Sequence, residues 1–247
     1  MRRLWVAITI CSSLTAVAAA LAADLPPAPA YKAPPVPRSY SWTGCYAGIA
    51  GGGAWGTSNH TAESGPFTGQ TITGDFNISG GLVGGTIGCN YQAGNWVFGV
   101  EDDLSWVDKK GSGHDLAPFN LNAVSTTREK WLDTARGRLG FTWDRTLIYA
   151  TGGLAVDGAS VNICGLAGCV SDSRTVTGWT AGAGLEYAFW NDWSFKVEYL
   201  YADFGSPRFI NTPVRLGAGT ILTRDVRLND NIVRAGLNYR FNWPGVY

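Results

Sequence analysis

Nine charged side chains sit on alternate positions of runs that are otherwise apolar or glycine-rich: Glu101, Asp103, Arg136, Arg138, Glu186, Lys196, Glu198, Arg234 and Arg240. Carboxylates and bases gathered on one face can do three things: acid–base catalysis, ion conduction, or mutual neutralisation. Catalysis lacks its usual companions. The chain has two histidines, His60 and His114, both in segments that read as loops, beside Glu63 and Asp115. No GxSxG or HExxH pattern occurs, and the glycines of "GSGHDLAPFN" lack the strand–turn–helix setting of a phosphate loop. No enzyme, catalytic residue, metal site or cofactor is expected, and the zero formal net charge gives no field for nucleic acid.

The elements that carry these charges are strands. In "NIVRAGLNYRF", Val233, Ala235, Leu237, Tyr239 and Phe241 alternate with Arg234, Gly236, Asn238 and Arg240, a period of two with unlike faces. Eight such segments follow Trp42: 45–55, 77–91, 96–107, 130–143, 146–158, 175–189, 193–202 and 231–241. Tight connections ("QAGN", "DR", "WND") alternate with long ones (56–76, 108–129, 159–174, 203–230). This is the plan of an all-β, eight-stranded antiparallel up-and-down transmembrane β-barrel, with both termini on the tight-turn, periplasmic side.

Sorting residues by face separates two surfaces. One is large and apolar, with aromatics near strand ends. Trp96, Trp143, Phe189, Trp193 and Phe241 lie toward the tight turns; Trp55, Trp106, Trp131, Trp179 and Tyr201 lie toward the long connections. Two such belts suit the two interfaces of a bilayer. The other surface holds the nine charges and many glycines, as the narrow interior of eight strands requires. A soluble barrel would invert this plan. Glu101 is expected level with Arg138 and Asp103 with Arg136, Glu186 opposite Lys196, and Glu198 against Arg234 or Arg240. Paired charges in a small bore read as a plug; a narrow porin for small solutes or ions is the alternative. Asp102 falls on the apolar face, either turned inward by a bulge or placed near an interface.

Upstream, Arg2 and Arg3 precede an apolar stretch ending in Ala20-Leu21-Ala22, so residues 1–22 read as a signal peptide. Its loss tips the remaining chain to mildly acidic. No later run is long and apolar enough for a membrane helix. Residues 23–41 form a Pro-rich periplasmic segment with six of the 11 prolines, an extended spacer with the cell wall as a candidate contact. Residues 42–247 form the barrel. Four cysteines remain, Cys45, Cys89, Cys164 and Cys169, an even set in an exported chain, which suggests disulfides with three possible pairings.

The stretches "WTGCYAGIAGG", "GGLVGGTIGCNYQAGNWVFGVEDDLSW", "ARGRLGFTWDRTLIYATGGLA", "GWTAGAGLEYAFWNDWSFKVEYLYADFG" and "VRAGLNYRF" resemble, in this order, the small outer-membrane β-barrel family of Gram-negative bacteria. That family includes porin-family and outer-membrane immunogenic proteins, with an OmpA-type barrel. The resemblance implies a structural, surface-exposed role in the cell outer membrane. It also implies contact with outer-membrane lipid and lipopolysaccharide, and assembly by barrel-assembly machinery that reads a terminal aromatic, Phe241 or Tyr247. The family tends to have aromatics where this chain has Cys45 and Cys89. With the resemblance in hand, Cys45–Cys89 and Cys164–Cys169 are the expected pairs.

Overall fold

The computed structural model describes residues 40–63, 67–118, 121–165, 168–209 and 223–241. The signal-peptide reading, all but the last two residues of the Pro-rich segment, and Tyr247 lie outside them. The described chain forms β1 (Gly44–Ala62), β2 (Thr71–Ala93), β3 (Trp96–His114), β4 (Val124–Trp143), β5 (Thr146–Gly165), β6 (Gly168–Ala188), β7 (Trp193–Asp203), β8 (Arg208–Phe209) and β9 (Arg224–Phe241). Each of β1 to β6 pairs antiparallel with its successor, β7 pairs with β9, and β9 returns to β1. The ring therefore has eight positions. The two-residue β8 continues beside β9 where β7 has ended.

Over the level that all eight positions share, closure pairs the strand edges within the sheet, which is the condition for strands to stand in hydrocarbon. The tight turns use Gly94 and Asp144, both at positive φ (62° and 53°), the backbone state that lets so short a connection reverse the chain. Cys45 lies directly across from Cys89, and Cys164 from Cys169, and both pairs are bonded. Thiol titration of the exported chain should find none free before reduction and all four after it; free thiols in the unreduced protein would contradict these bridges.

The long connections differ from expectation. In the first three of them, 56–76, 108–129 and 159–174, most of the length is strand. β1 runs seven residues past Trp55, and β5 and β6 stay paired up to Gly165↔Gly168. The physical reason lies in which face is apolar. Along β5 the outward residues pass from Ile148, Leu154 and Val156 to Ser160 and Asn162. The inward ones pass from Tyr149 and Thr151 to Ala159, Val161 and Ile163. In β5 the alternation never changes phase; the apolar residues change face. Below that level the barrel follows the membrane plan, above it the plan of a water-soluble barrel. A search for apolar outward residues therefore ended each strand at the change of solvent.

Candidate functional site: a charged lumen between two apolar seals

Eight of the nine predicted charges meet inside the barrel. Glu101, Asp103, Arg136, Arg138, Glu186, Lys196, Glu198 and Arg234 are all buried, and the four acids balance the four bases. Arg136 is the hub. Its Nη2 donates to Glu101 Oε1 at 2.6 Å and to Asp103, and its Nη1 donates to Glu198 Oε1 at 3.0 Å. Arg234 donates to Glu198 Oε2 at 2.5 Å and to Asp103 Oδ2 at 2.7 Å. Lys196 Nζ donates to Glu101 Oε2 at 2.9 Å. Glu101, Asp103 and Glu198 bring ligand oxygens within 4.8 Å of one another, a spacing that suits a cation. The Arg136 guanidinium stands among them and supplies that charge itself.

Two tyrosines join this network. Tyr46 donates to Glu101 Oε2 at 2.6 Å and accepts from Arg138 Nη1 at 2.8 Å. Tyr149 donates to Glu198 at 3.1 Å, and its ring lies 3.7 Å from the Arg138 guanidinium carbon. Gly88 and Gly184 make their room: a Cβ at Gly88 would stand 2.5 Å from the Tyr46 hydroxyl, and one at Gly184 would stand 2.4 Å from that of Tyr149. Tyr46 went unrecognised in the sequence. Its signal was a large residue on the glycine-bearing phase of β1.

Asp103 with Arg136, Glu101 with Arg138 at 3.6 Å, and Glu198 with Arg234 pair as expected; the strand register, the Glu186–Lys196 pair and the place of Arg240 are corrected. Glu101 lies opposite Arg136, two residues from the expected register, with Gly99 opposite Arg138 and Thr134 opposite Asp103. Glu186 and Lys196 are cross-strand neighbours but do not pair. Arg138, Ser194 and Asn238 take up the Glu186 carboxylate, and Lys196 reaches across the lumen to Glu101. Arg240 stays out of the network; it sits at the tight-turn rim, 3.4 Å from Asp192 and over the Tyr40 ring. In a bore this narrow, long side chains bridge non-adjacent strands, so hairpin register alone does not choose partners.

Below the charges, Trp42 closes the tight-turn end. It is 3% exposed and packs with Val97, Leu147, Tyr149 and Ala188, while its backbone N–H donates to Gln92 Oε1 at 2.7 Å. Tyr40 packs against it edge-on, which extends the barrel's own packing two residues before position 42.

Above the charges the lumen turns apolar. Leu82, Val107, Leu132, Val176, Leu200 and Ile232 are buried in one cluster that rises to Phe204, Phe209 and Leu228. A charged band interrupts the cluster part-way up, between Leu82, Val107 and Ile232 below and Phe76, Val161 and Leu228 above: Lys109 meets Glu129 at 2.5 Å and also Asp230, and Asp157, across from Leu132 and Val176, is buried beside the band. At the outer end polar groups are again paired. Arg224 meets Asp115 at 2.9 Å and the Ser125 hydroxyl at 2.8 Å. Buried His60 shares a hydrogen bond with Thr127 at 3.2 Å. His114 is exposed on the outward edge of β3.

The outward face carries the aromatics. Trp96, Trp143, Phe189, Trp193 and Phe241 are exposed toward the tight turns, and Phe189 lies just past the end of β6. Trp55, Trp106 and Trp179 are exposed at the other level, with Trp131 and Tyr201 half-buried beside them. Trp106 and Trp131 face each other across β3 and β4, and Trp179 and Tyr201 touch at 5.5 Å. Trp190, at the β6–β7 turn, is an exposed aromatic missed in the sequence. Asp102 points outward in regular register between Ile87 and Ala135, so no bulge turns it inward.

The profile of the outer membrane protein beta-barrel domain family matches residues 10–241. A 31 kDa outer-membrane immunogenic protein of Brucella melitensis is 35% identical over 236 residues, covering 92% of this chain and 94% of the relative. A 22 kDa outer membrane protein of Rhizobium leguminosarum is 32% identical over 175 residues, covering 70% of this chain and 69% of the relative. The crystal structure of OprG from Pseudomonas aeruginosa aligns with a TM-score of 0.46 at 16% identity, covering 82% of this chain and 99% of OprG, too distant to bear on function. The family match and the extent of the Brucella similarity, joined to a closed ring of strands with an aromatic, apolar exterior, place this chain in the outer membrane protein beta-barrel domain family, as a protein of the outer membrane.

Proposed function

We propose that this outer-membrane barrel is a closed envelope component that presents its outer strand extensions at the cell surface and does not conduct. The observation that carries the reading is the stack inside the barrel: Trp42, the balanced charges, then the Leu132–Leu200–Ile232 layer. A polar plug alone leaves room for water between charges. An apolar layer above it excludes water and raises the cost of any ion's passage. The outward polar residues of the extensions, among them Ser112, Ser160 and Asn162, suit an aqueous exterior. Relatives named outer-membrane immunogenic proteins support surface exposure. A non-catalytic role fits the burial of His60 and the position of His114. Barrel-assembly machinery and outer-leaflet lipid are the partners of this reading. A cell-wall contact by the Pro-rich segment rests on its composition alone.

Orientation is tested by cysteine labelling. Ser112→Cys should react with a membrane-impermeant maleimide on intact cells. Asp144→Cys, at the β4–β5 turn, should react only after the outer membrane is permeabilised. The reverse pattern would place the extensions in the periplasm and overturn the surface role.

A further inference from the structure

A second site lies on the outside of the barrel, where β4 crosses the upper aromatic level. The register shifts on both sides of β4, between Trp106 and Lys109 on β3 and between Glu129 and Leu132 against β5. Lys130 and Trp131 therefore both face outward, between the buried Glu129 and Leu132. A bulge of this kind re-aims side chains. Gly158 of β5 accepts the Trp131 ring: a Cβ there would stand 2.1 Å from the indole nitrogen.

Two grooves meet at Lys130. The lower is apolar, lined by Leu104, Trp106 and Trp131. The upper is polar, lined by Arg128, Thr126, Ser160, Asn162, Ser171 and Ser173. Lys110 stands exposed on the same face of β3, opposite Arg128. Among the described residues, Lys110, Arg128 and Lys130 form no ion pair. The outward carboxylates nearby are Asp108, beside Lys110, and, on the membrane side of Trp131, Asp133 opposite Leu104 and Asp102 one outward step below Leu104.

We propose that these grooves hold one phosphorylated glycolipid of the outer leaflet, with an acyl chain between Trp106 and Trp131, phosphate on Lys130, Arg128 and Lys110, and sugar hydroxyls on the Ser, Thr and Asn side chains. This deepens the outer-membrane reading and rests on it. Depth and charge argue for this occupant. The tryptophans mark the bilayer interface, and the cations stand one step above it, at headgroup level. An apolar slot continuous with a cationic, hydroxyl-rich surface fits a molecule that is greasy at one end and anionic and sugar-bearing at the other.

Native mass spectrometry of the refolded mature chain tests this, with diphosphorylated lipid A, the same lipid after removal of its phosphates, and phosphatidylglycerol as probes. Heat-dependent migration in a gel confirms folding first. The expected result is one tightly retained diphosphorylated lipid A, with at least tenfold weaker binding of the dephosphorylated form and of phosphatidylglycerol. The variant Lys110→Glu/Arg128→Glu/Lys130→Glu should lose at least tenfold for the diphosphorylated probe. Equal binding of all three lipids, or an unchanged affinity in the folded variant, would overturn the site. Should the triple variant not fold, Lys130→Ala and the lipid series on the wild type decide the matter. Failure of the surface role would appear separately, in the maleimide labelling.

Discussion

Replacing Arg136 by Met is expected to cost this barrel about 3–5 kcal/mol of folding free energy, the penalty for breaking a buried ion cluster from one side. Arg136 touches Glu101, Asp103 and Glu198 together, and its side chain is wholly removed from solvent. Methionine preserves much of the volume but leaves the lumen one positive charge short. The remaining cations do not cover the gap, because Arg138 is held by Glu186 and Tyr46, and Lys196 and Arg234 already serve the same three carboxylates. Arg240→Met is the control. That side chain lies at the rim against Asp192, and its loss should cost about 1 kcal/mol or less, the range of exposed pairs. Urea titration of tryptophan fluorescence in lipid vesicles measures both. Equal, small losses would show that Arg136 is not the hub.

The second large effect is acid sensitivity of the outer half, traced to His60. Burial, reinforced by the nearby Arg224 charge, pushes its imidazole down to about 3. In the unfolded chain the same group titrates near 6.5. Above that value both states are neutral and the histidine contributes no pH dependence. As pH falls below it, the unfolded chain takes up a proton that the folded barrel refuses, and stability drops by about 1.4 kcal/mol per pH unit until pH approaches 3. The groups around the ring offer no relief: Asp115 is held by Arg224 and Ser125, and Thr127 and Phe76 are neutral. His60→Gln should remove this part of the slope, so that wild type falls behind the variant by roughly 2 kcal/mol between pH 7 and pH 5. Unfolding titrations across that range check it. Parallel pH profiles for the two proteins would mean that His60 is open to protons in the folded state.

Much of the barrel was legible because alternation encodes it directly. Val233 to Phe241 reads as a two-faced strand, and the turn residues at Gly94 and Asp144 mark reversals. The charges were legible as a set for the same reason. Their partners were legible only in part: Glu198 meets Arg234 and Asp103 meets Arg136 as expected, but Glu186 and Lys196 do not pair. Register across one hairpin is local, but Lys196 meets Glu101 across the bore, and no pattern along a strand records that distance. The outer extensions were hidden because their pattern is the inverse of the one sought. Phe76, Val161, Val226 and Leu228 are apolar on the inward phase, where charges or glycines were expected. The upper seal itself, Leu132, Leu200 and Ile232, lies inside the expected strands 130–143, 193–202 and 231–241; it went unread because the inward face of those strands was taken as small or charged throughout. Trp42 was placed at the start of the barrel, but its role as a seal depends on Leu147 and Ala188, residues far along the chain.

Planar-bilayer conductance of the mature chain, refolded with both disulfides intact, tests the sealed lumen most directly. With folding confirmed in the same membranes, the account predicts no channel steps from the wild type. It predicts steps only when both seals are opened, by Trp42→Ala together with Leu132→Ser, Leu200→Ser and Ile232→Ser. Stable, repeatable steps from the unmodified chain would show a continuous water path past Arg136 and Leu132, and would replace the closed barrel with a narrow porin.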